Sequence, residues 1–474
     1  MSCKVSPNNE RLQALPSVSK VVGTDAFAKL AGEYGAGLAK FQLRDLVASC
    51  RAAILANERA EAPSVEALMT ELRTQLVRLA RPAGRDAINA TGILLHTGLG
   101  RAPFCREALD ALVRFDHYSL LQTDLADGGR GLREEKVERL LAEITGCEAV
   151  CVVNNNAAAT MLILSALAAD RDVIISRGQL VEIGGSFRIP DVMAESGASL
   201  REVGTTNRTH LRDYQAAIVD GRAAAIMHVH TSNYRIRGFV AAPSLGELAT
   251  LAHDRGLLMI DDLGSGALVP LRPFGLPDEP LVKDSIAAGV DVFCFSGDKL
   301  ISGPQAGIIA GKRAAIERIR KSPFARTARV CKMTLAVLEA TLCHFLDGES
   351  YRQAIPLYRM LGRSQDDLQR QAEDVQARIG RFPEADIQIV AHTSFIGSGS
   401  LPDQGLPARA VSLSHAKLNP HELARRLRTS LPSVFGHIKD DAVLLDMRTV
   451  QPDEVETLAT VVREVLLPNR EEVG

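Results

Sequence analysis

Lys299 has the setting in this chain that most clearly calls for chemistry. It ends the stretch Phe295-Ser296-Gly297-Asp298-Lys299, which closes the apolar run Val290-Asp291-Val292-Phe293-Cys294. It then opens a Gly-rich, proline-containing turn, Leu300 to Gly307. A lysine is ordinarily a solvated surface residue, so one delivered to the end of a buried strand is unusual. An amine held among apolar groups loses part of its ammonium stability, and the free base can condense with an aldehyde. Pyridoxal 5'-phosphate (PLP) is the aldehyde cofactor this arrangement suits. Taken alone, the motif also fits a helix-capping or surface lysine.

A PLP site needs an anion cradle, a carboxylate facing the pyridine nitrogen and a wall beside the ring. Candidates for each precede Lys299. The β-like run Ala149 to Val153 meets Asn154-Asn155-Asn156 and then the helical stretch Ala157 to Leu164. A strand, a polar turn and a helix start leave backbone N–H groups and a positive dipole end for a phosphate, with Asn155, Asn156 and Ala157 as the contacts. The same residues also make an ordinary Asn-capped helix. Leu257 to Asp262 is a second apolar run ending in two carboxylates, and Asp262 is the candidate pyridinium partner. Ser296 offers a hydroxyl to the phosphate, and His230, ending the run 223–229, is a candidate ring wall or hydroxyl partner. Three strand-end signals in the order phosphate loop, carboxylate, lysine are far more specific than any one of them.

Arginines form a second set. Arg101 sits in the turn Leu99-Gly100-Arg101-Ala102, and Arg326 and Arg329 flank Thr327-Ala328. Guanidinium forks suit a phosphate-like anion, and structural salt bridges are the alternative.

These residues fall within a long collinear similarity. Ile88-Asn89-Ala90-Thr91-Gly92, Leu95-His96-Thr97, Leu180 to Met193, Glu202 to His210, Val229 to Tyr234, Asp262 to Gly266, Phe295 to Lys299, Gly303 to Ile309, Lys332 to Leu335 and Gly397 to Pro402 all take part. The chain resembles the bacterial selenocysteine synthases, the L-seryl-tRNA(Sec) selenium transferases. The resemblance implies a PLP-dependent fold type I (aspartate aminotransferase-like) α/β core, with a mainly parallel sheet and helices on both faces. It implies β-elimination of the hydroxyl from a seryl group on tRNA(Sec), then addition of selenium from selenophosphate to the dehydroalanyl intermediate. Lys299 would carry the cofactor and act as base, with Asp298 assisting proton transfer. Arg101 and Arg326, with Arg329 beside them, would hold selenophosphate across a subunit contact. A homo-oligomer, a decamer built of dimers, is implied as well.

The chain departs from the family at several points. The family has Asn at Gly98, Tyr at Thr123, Glu at Gln179, Gly at Ser302 and Asp at Cys331. Gln179, Thr123 and Gly98 keep open a related reading, a PLP lyase of the same fold acting on a small amino acid or amino sugar acid without tRNA. A binding protein that kept the fold and lost catalysis is a third class, and the presence of Lys299 and Asp262 speaks against it.

The elements that must position these groups follow from periodicity. The 474 residues suit about three units. Residues 1–82 read as a helical, tRNA-binding domain and linker. Pro63-Ser64 starts a helix whose stripe is Val65, Leu68, Met69, Leu72, Leu76 and Leu79. Residues 83–345 read as the PLP core, with apolar runs at 149–153, 172–176, 223–229, 257–263 and 291–295 between helical segments. Residues 346–474 read as a small α+β domain, with one long helical stretch from Tyr351 to Arg378 and strands near Asp386–Val390 and Ala442–Met447.

Composition, 46% hydrophobic with a formal net charge of −2, fits a folded soluble protein. No run of about 18 uninterrupted apolar residues exists, and Met1 to Arg11 lacks a signal peptide's apolar core, so no membrane is expected and the cytoplasm is the default. The eight cysteines are scattered without C-x-x-C, which points to neither a metal site nor a disulfide framework. Residues 1–82 carry 11 Lys and Arg against 8 Asp and Glu. Lys20, Lys29, Lys40, Arg44, Arg51 and Arg59 could share one basic face, which permits an RNA partner without demanding one. No DNA is expected.

Overall fold

A computed structural model describes residues 7–80, 86–185, 187–219, 221–277, 279–397, 399–401 and 403–467. The expected domain boundary at 82/83 lies outside the described residues, as do Ser186, Ser398 and Pro402 of the similarity segments. The chain divides into two compact units, one ending at Asp86 and one starting at Ala87.

The first unit is helical: Pro7–Ala14, Val18–Val22, Asp25–Tyr34, Ala36–Leu55 and Val65–Ala80. Its starts are set by side-chain caps. Thr24 Oγ1 accepts from Phe27 N at 3.2 Å and Ser64 Oγ from Ala67 N at 3.1 Å, satisfying N–H groups that a helix's first turn leaves free. In the last helix Leu68, Leu72 and Leu76 are fully buried against Phe27, Leu30, Leu43 and Leu46, whereas Leu79, expected on the same stripe, is exposed. Lys20, Lys29, Lys40, Arg44 and Arg51 are exposed. Arg59 is not part of an open face, because it is half-buried and donates to Cys50 Sγ at 3.2 Å.

The second unit is built on seven strands: β1 (Ala149–Val153), β2 (Asp172–Ser176), β3 (Ser199–Val203), β4 (Ala223–Val229), β5 (Leu258–Gly264), β6 (Val292–Ser296) and β7 (Gly307–Gly311). Their order across the sheet is β1-β7-β6-β5-β4-β2-β3, and β7 runs antiparallel to both its neighbours. The other pairings are parallel. Every residue of β1, β2, β6 and β7 is buried, as continuous Val/Ile runs covered on both faces require. One face packs Val152, Ile226, Phe293 and Phe295 under helices that include Glu135–Thr145 and Lys332–Leu346. The other packs Cys151, Val153, Met227 and Ile260 under α1 (Asn156–Leu167). Each such side chain contributes roughly 1.5–3 kcal/mol by leaving water.

A four-stranded antiparallel sheet, Ala385–Phe395, Gly405–His415, Ala442–Asp446 and His437–Lys439, forms the C-terminal layer. The chain enters the unit through this layer: Ala87–Asn89 pairs with Ser433–Phe435, and Leu95 N donates to Ile396 O at 2.7 Å. Gly92 has φ +78°, and a Cβ there would lie 2.7 Å from Oδ2 of the buried Asp446, so the entry strand needs glycine. The expected boundary at 345/346 falls inside the helix Lys332–Leu346. The long helix expected over Tyr351–Arg378 is three helices, Tyr351–Ala354, Pro356–Leu361 and Gln365–Ile379. Pro356 ends the first, and Ser364 caps the third through Asp367 N at 3.1 Å.

Candidate active site

A cavity of about 270 Å³ opens at the C-terminal ends of β4, β5 and β6. Ligands are generally found beyond that end of a parallel sheet. Lys299, three residues past β6, lines it and is only 6% exposed. Its backbone is pinned on both sides: Ser302 N donates to Lys299 O at 2.9 Å, Leu300 N to Ser265 O at 3.3 Å, and the buried Tyr358 hydroxyl to Leu300 O at 2.8 Å. Ser302 holds φ +62° and is fully buried, so the position where the family has glycine is a left-handed one occupied here by a small polar residue. The amine rests on the C-terminal segment: Gly399 has φ +88°, and a Cβ there would lie 2.6 Å from Lys299 Nζ. Burial pushes the lysine's pKa down. The Arg101 guanidinium adds to this, against opposing pulls from Asp262, Asp298 and Glu279.

Asp262 is buried at the pocket floor. Asn156 Nδ2 donates to its Oδ1 at 2.8 Å, Thr160 Oγ1 to its Oδ2 at 3.0 Å, and Gly264 N to its Oδ1 at 3.2 Å. Burial raises its pKa, and the bonds from Asn156 and Thr160 oppose the rise. The carboxylate is therefore fixed in direction, with the Lys299 amine also drawing on it, and it suits a protonated ring nitrogen. Two buried polar atoms of the lining, Asn156 Oδ1 and Ser232 Oγ, find no partner among the described residues. Buried polar groups are normally paired, so these mark a wall shaped for a polar ligand. The donor set, the flanking helix start and the cavity fit PLP.

The other sequence candidates separate. Asn155 is the N-cap of α1, its Oδ1 accepting from Ala158 N at 2.8 Å, so the capping role and the pocket lining coincide in one residue. Ala157 and the buried Ser296 line the cavity. His230 also lines it; its Nε2 lies 3.2 Å from Oε1 of the buried Glu279, and its backbone N donates to Asp262 O at 2.9 Å. Glu279 and Thr160 gave no sequence signal, the first lying in a proline-containing loop and the second inside a helix. Arg101, at φ +64°, lines the pocket of its own chain and pairs with Asp298 at 3.4 Å. Arg326 and Arg329 are not among the residues lining the cavity; both are exposed, Arg326 on the short helix Pro323–Thr327, and Arg329 bridges by its backbone to Val153.

Of the positions that depart from the family, Gly98, Thr123 and Cys331 are exposed. Cys331 caps the helix Lys332–Leu346, and the Thr334 hydroxyl beside it holds its thiol below the usual range. Gln179 accepts from Val229 N at 3.3 Å and faces an adjoining cavity. Away from both cavities, Cys105, Glu107 and His344 bring ligand-type atoms within 4.8 Å of one another, and His344 is already engaged by Glu107 and Ser350, each at 3.1 Å.

Comparison with known proteins shows the family. The family model described as SelA, L-seryl-tRNA selenium transferase, matches residues 87–451. An L-seryl-tRNA(Sec) selenium transferase of Nitratidesulfovibrio vulgaris is 44% identical over 469 residues, covering 97% of this chain and 99% of the relative. One from Solidesulfovibrio magneticus is 48% identical over 405 residues, covering 83% and 85%. Among solved structures, a D-glucosaminate-6-phosphate ammonia-lyase superposes with a TM-score of 0.58 at 18% identity, covering 82% of this chain and 97% of that one. That likeness shows the fold alone, the fold type I α/β architecture.

Proposed function

We propose that this chain, which belongs to the L-seryl-tRNA selenium transferase family, uses PLP to replace the hydroxyl of a seryl group on tRNA(Sec) with selenium from selenophosphate. The observation that carries the reading is the burial of Lys299 and Asp262 in one cavity, in a chain matched along nearly its whole length, helical unit included. PLP, when bound, supplies an aldehyde carbon and an electron-accepting ring. The residues supply the rest. Lys299, with its pKa lowered by burial, would hold the cofactor through its amine and would take the Cα proton of the seryl group. Asp262, aimed by Asn156, Thr160 and Gly264, keeps the ring nitrogen protonated. The start of α1 at Asn155, Asn156 and Ala157, with Ser296, holds the phosphate. His230, braced by Glu279, walls the ring. Asp298, anchored by Arg101, would assist proton transfer beside Lys299.

Arg101 is the pocket's own cation for selenophosphate. Arg326 and Arg329 face outward and would serve a neighbouring copy's cavity, which fits a homo-oligomer and the decamer of dimers that the family resemblance suggests. Arg326→Ala is expected to leave loss of the seryl hydroxyl intact and to slow selenium addition by roughly one to two decades, the loss of a bidentate contact to an anion. Thiol trapping of the dehydroalanyl product against selenophosphate concentration checks this; equal loss of both half-reactions with a lowered Tm would make the residue structural.

The decisive test of substrate is whether holoenzyme retains seryl-tRNA(Sec) in preference to seryl-tRNA(Ser); equal retention would refute the assignment. The helical unit is the proposed RNA grip. Lys40, Arg44 and Arg51 lie exposed along the helix Ala36–Leu55. Their joint replacement by alanine should weaken tRNA binding severalfold and reduce the salt slope of log K by about three times 0.7 to 0.9. Filter binding across a salt series reads both. An unchanged slope would move the RNA contact elsewhere.

A further inference from the structure

Outside both cavities, one cluster brings three kinds of metal-binding atom together. The Cys105 thiol, a Glu107 carboxylate oxygen and a ring nitrogen of His344 all lie within 4.8 Å of one another, the one such group among the described residues. The sequence hides it, because Glu107 and His344 stand 237 residues apart. Two helix ends set the atoms: Cys105 is the N-cap of the helix Arg106–Val113, Glu107 is in its first turn, and His344 is in the last turn of Lys332–Leu346. Cys105 and Ala108 of the first pack with Val337 of the second in one apolar cluster, so the spacing of the two helices is fixed. Cys105 is 1% exposed and the His344 side chain 13%, whereas that of Glu107 is 56% exposed. The group is therefore walled by protein on two sides and open at the carboxylate.

We infer that Cys105, Glu107 and His344 form a zinc-class metal site that clasps the start of the helix Arg106–Val113 to the end of Lys332–Leu346. A sulfur, a nitrogen and a carboxylate oxygen suit a borderline divalent ion, whereas Ca2+ and Mg2+ take oxygen ligands. Around tetrahedral zinc such atoms stand roughly 3.3–3.6 Å apart, so the group needs to close by about an ångström, which the exposed Glu107 side chain can supply. His344 Nε2 already lies 3.1 Å from Glu107 Oε2. Ser350 Oγ lies 3.1 Å from His344 Nδ1 and can accept that nitrogen's proton, leaving the Nε2 lone pair to the metal, as the outer partners of zinc-bound histidines do. Burial raises the pKa of the Cys105 thiol, with the Ala108 N–H opposing, so the ion displaces the thiol's proton to water as the sulfur–metal bond forms. The clasp would also fasten the segment that carries Arg101, four residues before Cys105. It bears on the active cavity without entering it.

The test uses the full-length, PLP-loaded protein, stripped with a chelator and dialysed. It is titrated with Zn2+ by calorimetry and with Co2+, whose tetrahedral ligand-field bands lie to the red of PLP absorbance. One equivalent per chain is expected, with an affinity that rises about tenfold per pH unit below the thiol pKa, because binding releases one proton. Cys105→Ser should remove both the cobalt bands and that pH dependence. Glu107→Gln and Ser350→Ala, the second of which keeps all three ligands, should each weaken binding by about ten- to a hundredfold. Zn2+ should raise the Tm of the wild type and leave that of Cys105→Ser unmoved. The Glu107 side chain is mostly exposed, so Glu107→Gln should fold as the parent does and keep its metal-free Tm. Absence of saturable binding at micromolar metal would overturn the site. So would binding that survives both Cys105→Ser and Glu107→Gln, which would be adventitious capture by the exposed Cys331 and Cys343.

Discussion

Lys299→Ala abolishes turnover and the visible absorbance of covalently held PLP, while the protein still binds the cofactor weakly. The expectation follows from the separation of the cavity's parts: the start of α1 and Asp262 are held by hydrogen bonds that do not involve the amine, and Ser296 by strand pairing with Gly307. Loss of a positioned base alone costs about two to four orders of magnitude, and loss of the nucleophile that carries the cofactor adds to it. Lys299→Arg should do no better, since a guanidinium keeps the charge and offers no free amine. Borohydride reduction followed by peptide mapping checks the assignment directly. A reduced adduct on any other lysine would place the chemistry elsewhere.

Asp262→Asn is expected to retain PLP and to slow removal of the Cα proton by several orders of magnitude, because an uncharged partner no longer holds the ring nitrogen protonated. The fold should tolerate the change. An asparagine presents an NH2 where the carboxylate accepted two side-chain donors, but Asn156 has an unpartnered Oδ1 that a flip of its amide would turn toward that NH2. Thr160→Val, which removes one donor to the carboxylate and keeps the charge, should cost much less, about 1.5–3 kcal/mol. Deuterium exchange at Cα of a bound seryl analogue reads the effect. Wild-type exchange in Asp262→Asn would end the role assigned to the residue.

Much of the catalytic geometry was legible because it sits where period and polarity change together. The runs expected at 149–153, 172–176 and 223–229 are β1, β2 and β4 as observed, and those at 257–263 and 291–295 are β5 and β6 displaced by one residue. Two strands gave little signal. β3 is an edge strand that exposes Ser199, Arg201 and Glu202, so its composition is half polar, and β7 starts and ends on glycine and reads as a turn. Lys299, Asp262, Asn155, Asn156, Ala157, Ser296, His230, Asp298 and Arg101 all reach one cavity. Arg326 and Arg329 do not, since nothing in their own sequence tells which way a short surface helix faces. Glu279 was invisible for the opposite reason: it takes its meaning from burial against His230, 49 residues away in sequence.

The placement of β7 also governs when the cavity can exist. The strand that leads to the anion-binding turn and the strand that leads to the lysine are not neighbours; each pairs with β7, which comes last of the seven in sequence. A nascent chain lacking residues 307–311 would carry the Val-rich β1 as a detached ribbon and β6, with its Val and two Phe, with a bare edge, both open to pairing with other chains. Gly307 tightens this dependence, since a Cβ there would come within 2.1 Å of Asn155 O, so the closing strand is gauged against the turn it completes. Assembly of the sheet is therefore a late, long-range step whose loop-closure cost falls before its contacts are made. Partly synthesised or truncated forms of this protein are accordingly the ones that need a chaperone.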